Sequence, residues 1–370
     1  MHILMLIIAT ATSFTGAWIQ GAAAGHVLTG LTGGKVPYQV GVIIMGASVA
    51  IYTVVAGLWG SLLATWLFTL IAMPLCAIVG LATWYYVGGP VAIMSEATSL
   101  VQQGILGAEY LNVFRWEPIY LYLPAVLAWA LFSLPMQQDY WQTAFSVGKR
   151  EEVGKAFRHA GNWWFFMPLI SGSLGFVALI YMLSGKMAVV PHSAAYASLI
   201  GHVLPAGFGI LFIWLVFSAT IGTVGAACVA IGNILGNDLY RTYINPQAND
   251  FQVQRVARLI VGITTILVIV ISLTPVSILY VLLFMPLYCA PFVWAFLSSQ
   301  WKQEYSSTPM LIGGIIGLAV GAYMFLGMGL WGPSMIVAFI VGAIISWLGS
   351  KVAPGKFDFE TLKKRFDFGG

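Results

Sequence analysis

Long apolar runs follow one another along this chain, separated by short polar stretches. Each run holds about 20 mostly apolar residues, the length a helix needs to cross a bilayer core. The pattern predicts ten spans, at 3–28, 38–58, 61–87, 118–137, 162–184, 205–236, 257–273, 276–298, 309–329 and 332–350. The runs are too long for barrel strands. In lipid a span must satisfy its own backbone amides, which selects helices. The expected fold class is therefore all-α, a polytopic transmembrane helix bundle. The second and third spans should meet at a very short turn near 57–61. The 89–117 segment interleaves apolar residues with Glu96, Gln102, Gln103 and Glu109, the pattern of a short external helix.

Composition supports the choice of solvent. Hydrophobic residues make up 60% of the chain and charged residues 8%, against about 25% charged in a soluble domain. Only lipid leaves that much apolar surface without penalty. Met1 and His2 lead straight into the first apolar run, without the basic start and small-residue cleavage site of a signal peptide, so the first span is expected to be retained.

The net charge of +4 does not point to nucleic acid, because topology accounts for where the basic residues fall. Thirteen of the sixteen lie on one side of a ten-span layout, from Lys149 and Arg150 through Arg241 and Lys302 to Arg365, and Lys35, Arg115 and Lys186 lie on the other. Positive loops stay inside. Both termini are expected in the cytoplasm and the chain in the plasma membrane, with residues 351–370 as a cytoplasmic tail.

Charge is missing where a span is deepest. No Asp, Glu, Lys or Arg sits mid-span, where each would cost about 2.5–3.5 kcal/mol on insertion scales. His26, His159, His192 and His202 lie at span ends or in loops, so the paired acids or Ser/His sets of a membrane-embedded enzyme are missing. Cys76, Cys228 and Cys289 share no CxxC spacing and read as packing residues. No catalytic residue, organic cofactor or metal is expected beyond a coupling sodium ion or proton. What remains at depth is hydroxyls, backbone carbonyls and aromatics. The sixth span is richest in them, with Ser218, Ala219, Thr220, Gly222 and Thr223 in close succession. Small residues there serve close helix packing; the threonine oxygens also suit a hard cation such as sodium.

The sixth span with its exit resembles the signature of the sodium:solute symporter family. That signature is Ala-x-x-Ser-Ser/Thr in a helix, then a small and polar run, then Asp-Ile/Leu-Tyr-Lys/Arg. Here Ala219, Gly222 and Thr223 stand at the first positions, and Asp238-Leu239-Tyr240-Arg241 form the exit. Gly222 stands where the family has a hydroxyl. A second stretch, Gln138-Asp139-Tyr140-Trp141-Gln142 followed by Trp164-Phe165-Phe166-Met167-Pro168, resembles the urea/proton-type branch. A third, Tyr52-Thr53-Val54-Val55-Ala56-Gly57-Leu58, is similar to the family's Tyr-Thr-x-x-Gly-Gly-Leu. The Thr-Asp-x-x-Gln that follows in the family is replaced here by Thr65, Trp66 and Thr69.

The resemblance implies a fold of five plus five helices in inverted repeats, incomplete in this chain. Residues 1–88 would hold three helices of the first repeat, 118–298 the complete second repeat, and 309–350 peripheral helices, all within one transmembrane domain, 1–350. The broken helix of the complete repeat would be 118–137, interrupted by Pro124 and Pro135.

The implied ion-binding residues are Ala219, Thr220, Gly222 and Thr223. The Ala219–Thr223 face should look into the bundle, onto the place of the family's first core helix, with its hydroxyls unsatisfied. The implied substrate pathway holds Phe132, Ser133, Gln138, Trp141 and Gln142, with Phe132 and Ser133 facing the bundle interior. The implied function is symport of a small polar solute, urea-like, driven by sodium or protons. The other reading left open is a transport-incompetent or split-transporter subunit with a regulatory or scaffold role. Expected partners are lipid, the solute, and a separately encoded N-terminal helical segment.

Overall fold

The computed structural model describes residues 2–112, 114–147, 149–164, 166–299 and 306–355. Lys302 and the 356–370 part of the expected tail lie outside these residues, as do the side chains of Tyr52, Val54–Leu58, Trp163 and Trp164. Every element among the described residues is helical. In chain order they are α1 (His2–Leu31), α2 (Tyr38–Tyr86), α3 (Gly89–Gln102), α4 (Trp116–Ala128), α5 (Gln138–Phe145), α6 (Arg150–Trp164) and α7 (Phe166–Leu183). Then come α8 (His192–Val203), α9 (Ala206–Asn233), α10 (Asp250–Ser272), α11 (Ile278–Ser299), α12 (Ser307–Ala322) and α13 (Trp331–Val352).

Each of the ten expected spans overlaps helix among the described residues, the fifth on the end of α6 and on α7. Among the described residues seven helical stretches are long and apolar enough to cross a membrane, His2–Leu31, Ile119–Met136, Ala206–Ile244, Asp250–Ser272, Ile278–Ser298, Ser307–Gly327 and Trp331–Val352, and the bent pair Leu70–Tyr86 and Gly89–Gln102 makes an eighth if taken as one span. The apolar stretches Tyr38–Ile51 and Pro168–Leu183 are shorter.

The turn expected at 57–61 is not there: α2 runs through it and contains both the second and third expected spans. Gly57 and Gly60 are the only breakers in that stretch, and an interior glycine costs only about 1 kcal/mol relative to alanine. The helix ends instead at Gly88 and Gly89, both at positive φ (87° and 81°). Glycine adopts that conformation freely. There the chain bends by 54° into α3, the helix expected within 89–117.

By contacts the chain divides into two units. The first comprises Met1–Thr12, Trp116–Gln137 and Leu282–Gly370. Its core joins Ala125, Ala128 and Phe132 to Leu283, Leu287, Cys289 and Val293, with Phe325 and Met335. The helices α12 and α13 pack almost backbone to backbone. A Cβ added at Gly313 would lie 2.7 Å from the Gly342 carbonyl oxygen, and one at Gly317 2.6 Å from that of Ala338. Small residues four apart permit this approach where lipid offers no hydrophobic drive.

The second unit comprises Ser13–Arg115 and Gln138–Val281. The helices α2, α9 and α10 pack around Met45, Val49, Val224, Ala227, Cys228, Val261 and Val268. A second cluster ties α3 to α7 and α8 through Ile93, Leu100, Leu174, Val177 and Leu199. The polypeptide after α9 continues as π-helix over Ile234–Ile244, so the sixth span reaches further than the 236 expected. The next helix begins at Asp250 rather than 257, fixed by a capping box in which Asn249 and Gln252 exchange side-chain and backbone hydrogen bonds.

Candidate functional site

The first site element is the break in the fourth span. Pro124 removes one backbone donor and Pro135 another. After α4 the helix widens to a π-turn over Trp129–Ser133, then tightens to 3-10 over Leu134–Met136. Such turns inside helices concentrate at functional positions. The break falls at the expected place, and Phe132 and Ser133 are both buried there. Phe132 stacks on Phe339, ring centroids 4.8 Å apart and 18° from parallel.

The Ser133 hydroxyl is shut off from solvent without a hydrogen bond of normal geometry, and it adjoins the Cys289 thiol. On its other side that sulfur lies 3.3 Å from Thr12 Oγ1, which also donates to the Ile8 carbonyl at 2.6 Å. Gln137, buried at the end of the break, donates weakly to Met285 Sδ at 3.9 Å. A buried polar group without a partner costs about 1–3 kcal/mol. The break therefore holds hydrogen-bonding capacity that the protein itself leaves unused.

Thr12 and Cys289 were not legible as site residues. Cys289 looked like packing, and its one signal is its place between Pro286 and Pro291, each of which removes a backbone donor from α11.

Gln138, Trp141 and Gln142 belong to the second unit, on α5, whereas Phe132 and Ser133 belong to the first. All three are partly buried. The Gln142 Oε1 atom is closed off without a partner, and the Trp141 ring lies 6.1 Å from that of Phe145.

The second site element is the middle of α9. At about 100° per residue, Ala219 and Thr223 share one face, while Gly222 and Thr220 turn to either side. Both Ala219 and Thr223 are exposed. No described segment covers the face they share. The expectation of an unsatisfied hydroxyl is corrected. Thr223 Oγ1 donates to the Ala219 carbonyl at 2.9 Å, the usual back-bond of a threonine on an otherwise uncovered helix face. Thr220 is buried and donates to the Phe217 carbonyl at 3.1 Å. These residues do not converge on one point.

Gly222 faces α2. A Cβ there would lie 2.7 Å from Thr65 Oγ1 and 3.4 Å from Thr65 Cα. So the hydroxyl absent from position 222 is matched by one arriving from the neighbouring helix. The sequence hinted at this only by keeping Thr65 in a stretch that otherwise departs from the family.

The candidate site elements are thus a helix broken at mid-span in the first unit and a hydroxyl-bearing helix in the second. The sequence profile of the Sodium:solute symporter family matches residues 1–317, and the chain belongs to that family. A solved structure of a Na+-coupled sialic acid symporter superposes with a TM-score of 0.76 at 15% identity, over 95% of this chain and 75% of that one. That likeness is one of fold.

Among similar proteins, a probable urea active transporter of Schizosaccharomyces pombe is 24% identical over 232 residues, 58% of this chain and 34% of its own length. A urea-proton symporter of Oryza sativa is 28% identical over 132 residues, 34% of this chain and 18% of its own. The osmoregulated proline transporter of Bacillus subtilis is 22% identical over 340 residues, 86% and 65%. Two of the three are urea transporters, the branch to which the Gln138–Gln142 stretch pointed. The chain spans from under a fifth to just under two thirds of the length of these relatives.

Proposed function

We propose that the chain is the transporting core of a symporter for a small polar solute, urea-like, driven by a sodium or proton gradient across the plasma membrane. The observation that carries this is the break at 129–136, whose buried Ser133 hydroxyl makes no hydrogen bond of normal geometry and lies against Cys289, itself in contact with Thr12. A solute rich in N–H and C=O groups would complete those hydrogen bonds, and a neutral one suits spans without charge at their centres. The two urea transporters among the relatives support the substrate class. The distribution of basic residues supports cytoplasmic termini.

Thr223 and Ala219 are the proposed sodium side of the site, with Thr220 and Gly222 as its neighbours. The Thr223 hydroxyl donates its proton to the Ala219 carbonyl, which leaves its oxygen lone pairs available to a cation. The open face they share also supports the second reading, a subunit that needs a separately encoded helical segment laid against α9. The test is uptake of labelled urea by the chain in proteoliposomes, alone and with the corresponding segment of a relative supplied. Sodium stimulation that disappears in Thr223→Ala supports the assignment. Sodium stimulation that survives the substitution puts the ion elsewhere.

A further inference from the structure

The connection between the fourth and fifth spans carries a feature that this assignment does not use. Directly after the 3-10 turn ends, α5 begins with Gln138 and Asp139 and packs against α9. Asp139 and Gln142 are three residues apart, hence neighbours on one face of the helix. Asp139 Oδ1 and Gln142 Oε1 are both closed off from solvent, and both lack a hydrogen-bond partner. Asp139 as a whole residue keeps partial exposure, but this oxygen keeps essentially none.

Two acceptors turned to the same side of a short helix, away from water, call for a donor or a positive charge. The helix packed against α5 offers no side-chain cation. The packed helix α9 carries no Asp, Glu, Lys, Arg or His. Its one ionisable side chain, Cys228, is engaged with Thr265. Next to Asp139 stands Tyr140, neutral and pushed up to about 12 by burial and by the Asp139 charge. A sodium ion would find too few ligands, since it wants several oxygens and the Asp139 carbonyl is already taken by Thr143 Oγ1 at 2.8 Å. A single proton is enough: on the carboxyl it turns one of the two acceptors into a donor.

We propose that Asp139 is a proton-binding carboxyl whose acid hydroxyl is accepted by Gln142 Oε1. Burial pushes the Asp139 carboxyl up to about 6, and the backbone amides of Asp139 and Tyr140 offset only part of that rise. The group therefore changes charge close to neutral pH, in the stretch of chain that directly follows the broken span. The assignment deepens the proposed symport by giving the proton a residue of its own, separate from Thr223.

Infrared difference spectra of the full chain in lipid, recorded as pH is stepped from 8 to 4, test it without requiring transport. A protonated-carboxyl band that grows in around pH 6, is absent from D139N and returns in D139E is the expected result. Spectra identical in wild type and D139N overturn the proposal. So does an Asp139 band confined to the ordinary carboxylate range near pH 4, which would mean that Gln142 has turned its NH2 toward an ionised Asp139. In proteoliposomes, stimulation of urea uptake by an acid-outside gradient should be lost in D139N and regained in D139E; stimulation unchanged in D139N overturns the coupling role. Should the wild-type chain take up no solute, the symport reading falls while the infrared band still decides whether Asp139 holds the proton.

Discussion

Replacing Gly222 by alanine puts a methyl group 2.7 Å from Thr65 Oγ1. Thr65 is β-branched and stiff at χ1 inside a helix, so rotation does not cheaply clear the space. Overpacking of this kind costs about 1–3 kcal/mol. Against it stands the intrinsic gain of alanine over glycine in a helix, about 1 kcal/mol. The single variant should therefore lose about 0–2 kcal/mol. With Thr65 already reduced to alanine, the close oxygen is gone, and the remaining neighbours, Thr65 Cα at 3.4 Å and Cβ at 3.5 Å, sit at ordinary contact distance. In that background Gly222→Ala should become neutral or stabilising. The coupling between the two positions should be about 1–3 kcal/mol, well above the ~0.3–0.5 kcal/mol scatter of independent sites. Reversible unfolding of the four proteins in mixed micelles measures it. Additive effects would show that α2 and α9 do not meet through Thr65 and Gly222, and that the absent hydroxyl at 222 has no counterpart on α2.

Gly317→Leu should separate α12 from α13, because even a Cβ there meets the Ala338 carbonyl at 2.6 Å; a loss of about 3 kcal/mol or more, or failure to accumulate, is expected from thermal unfolding in detergent. Cys76, Cys228 and Cys289 are all buried, so a maleimide should label none of them in the folded protein and all three after denaturation. Asp139→Asn should leave stability unchanged near pH 3 and raise it relative to wild type at pH 7.5. A carboxyl raised to about 6 favours the folded state most below its unfolded value near 4, and that contribution is lost as pH rises through about 6, whereas Asn loses nothing. Melting temperatures across that window check the sign.

Much of the architecture was legible because lipid makes length and apolarity decisive. The runs that form α1, α9, α10, α11, α12 and α13 can be read directly, and Pro124 with Pro135 marks the fourth span as the broken one. The continuity of α2 was not legible, because Gly57 and Gly60 weaken a helix without ending it, and the stronger signal, two glycines at positive φ, came 30 residues later at Gly88 and Gly89. The site was legible only in outline. Ala219 and Thr223 do share a face, but which helix covers that face depends on tertiary packing rather than on period. The pairing of Gly222 with Thr65 joins residues far apart in the chain, and the cluster of Thr12, Ser133 and Cys289 draws on three separate spans. Residues so distant meet through packing register, which local pattern does not carry.

The central claim is gradient-driven movement of a small polar solute through this chain. Purified protein reconstituted into sealed liposomes, loaded with a sodium or proton gradient and given labelled urea outside, tests it most directly. The account predicts accumulation above the external concentration that collapses when an ionophore dissipates the gradient and weakens when Ser133 is changed to alanine. Equilibration that never exceeds the external concentration, or uptake indifferent to both gradients and to Ser133→Ala, would contradict it.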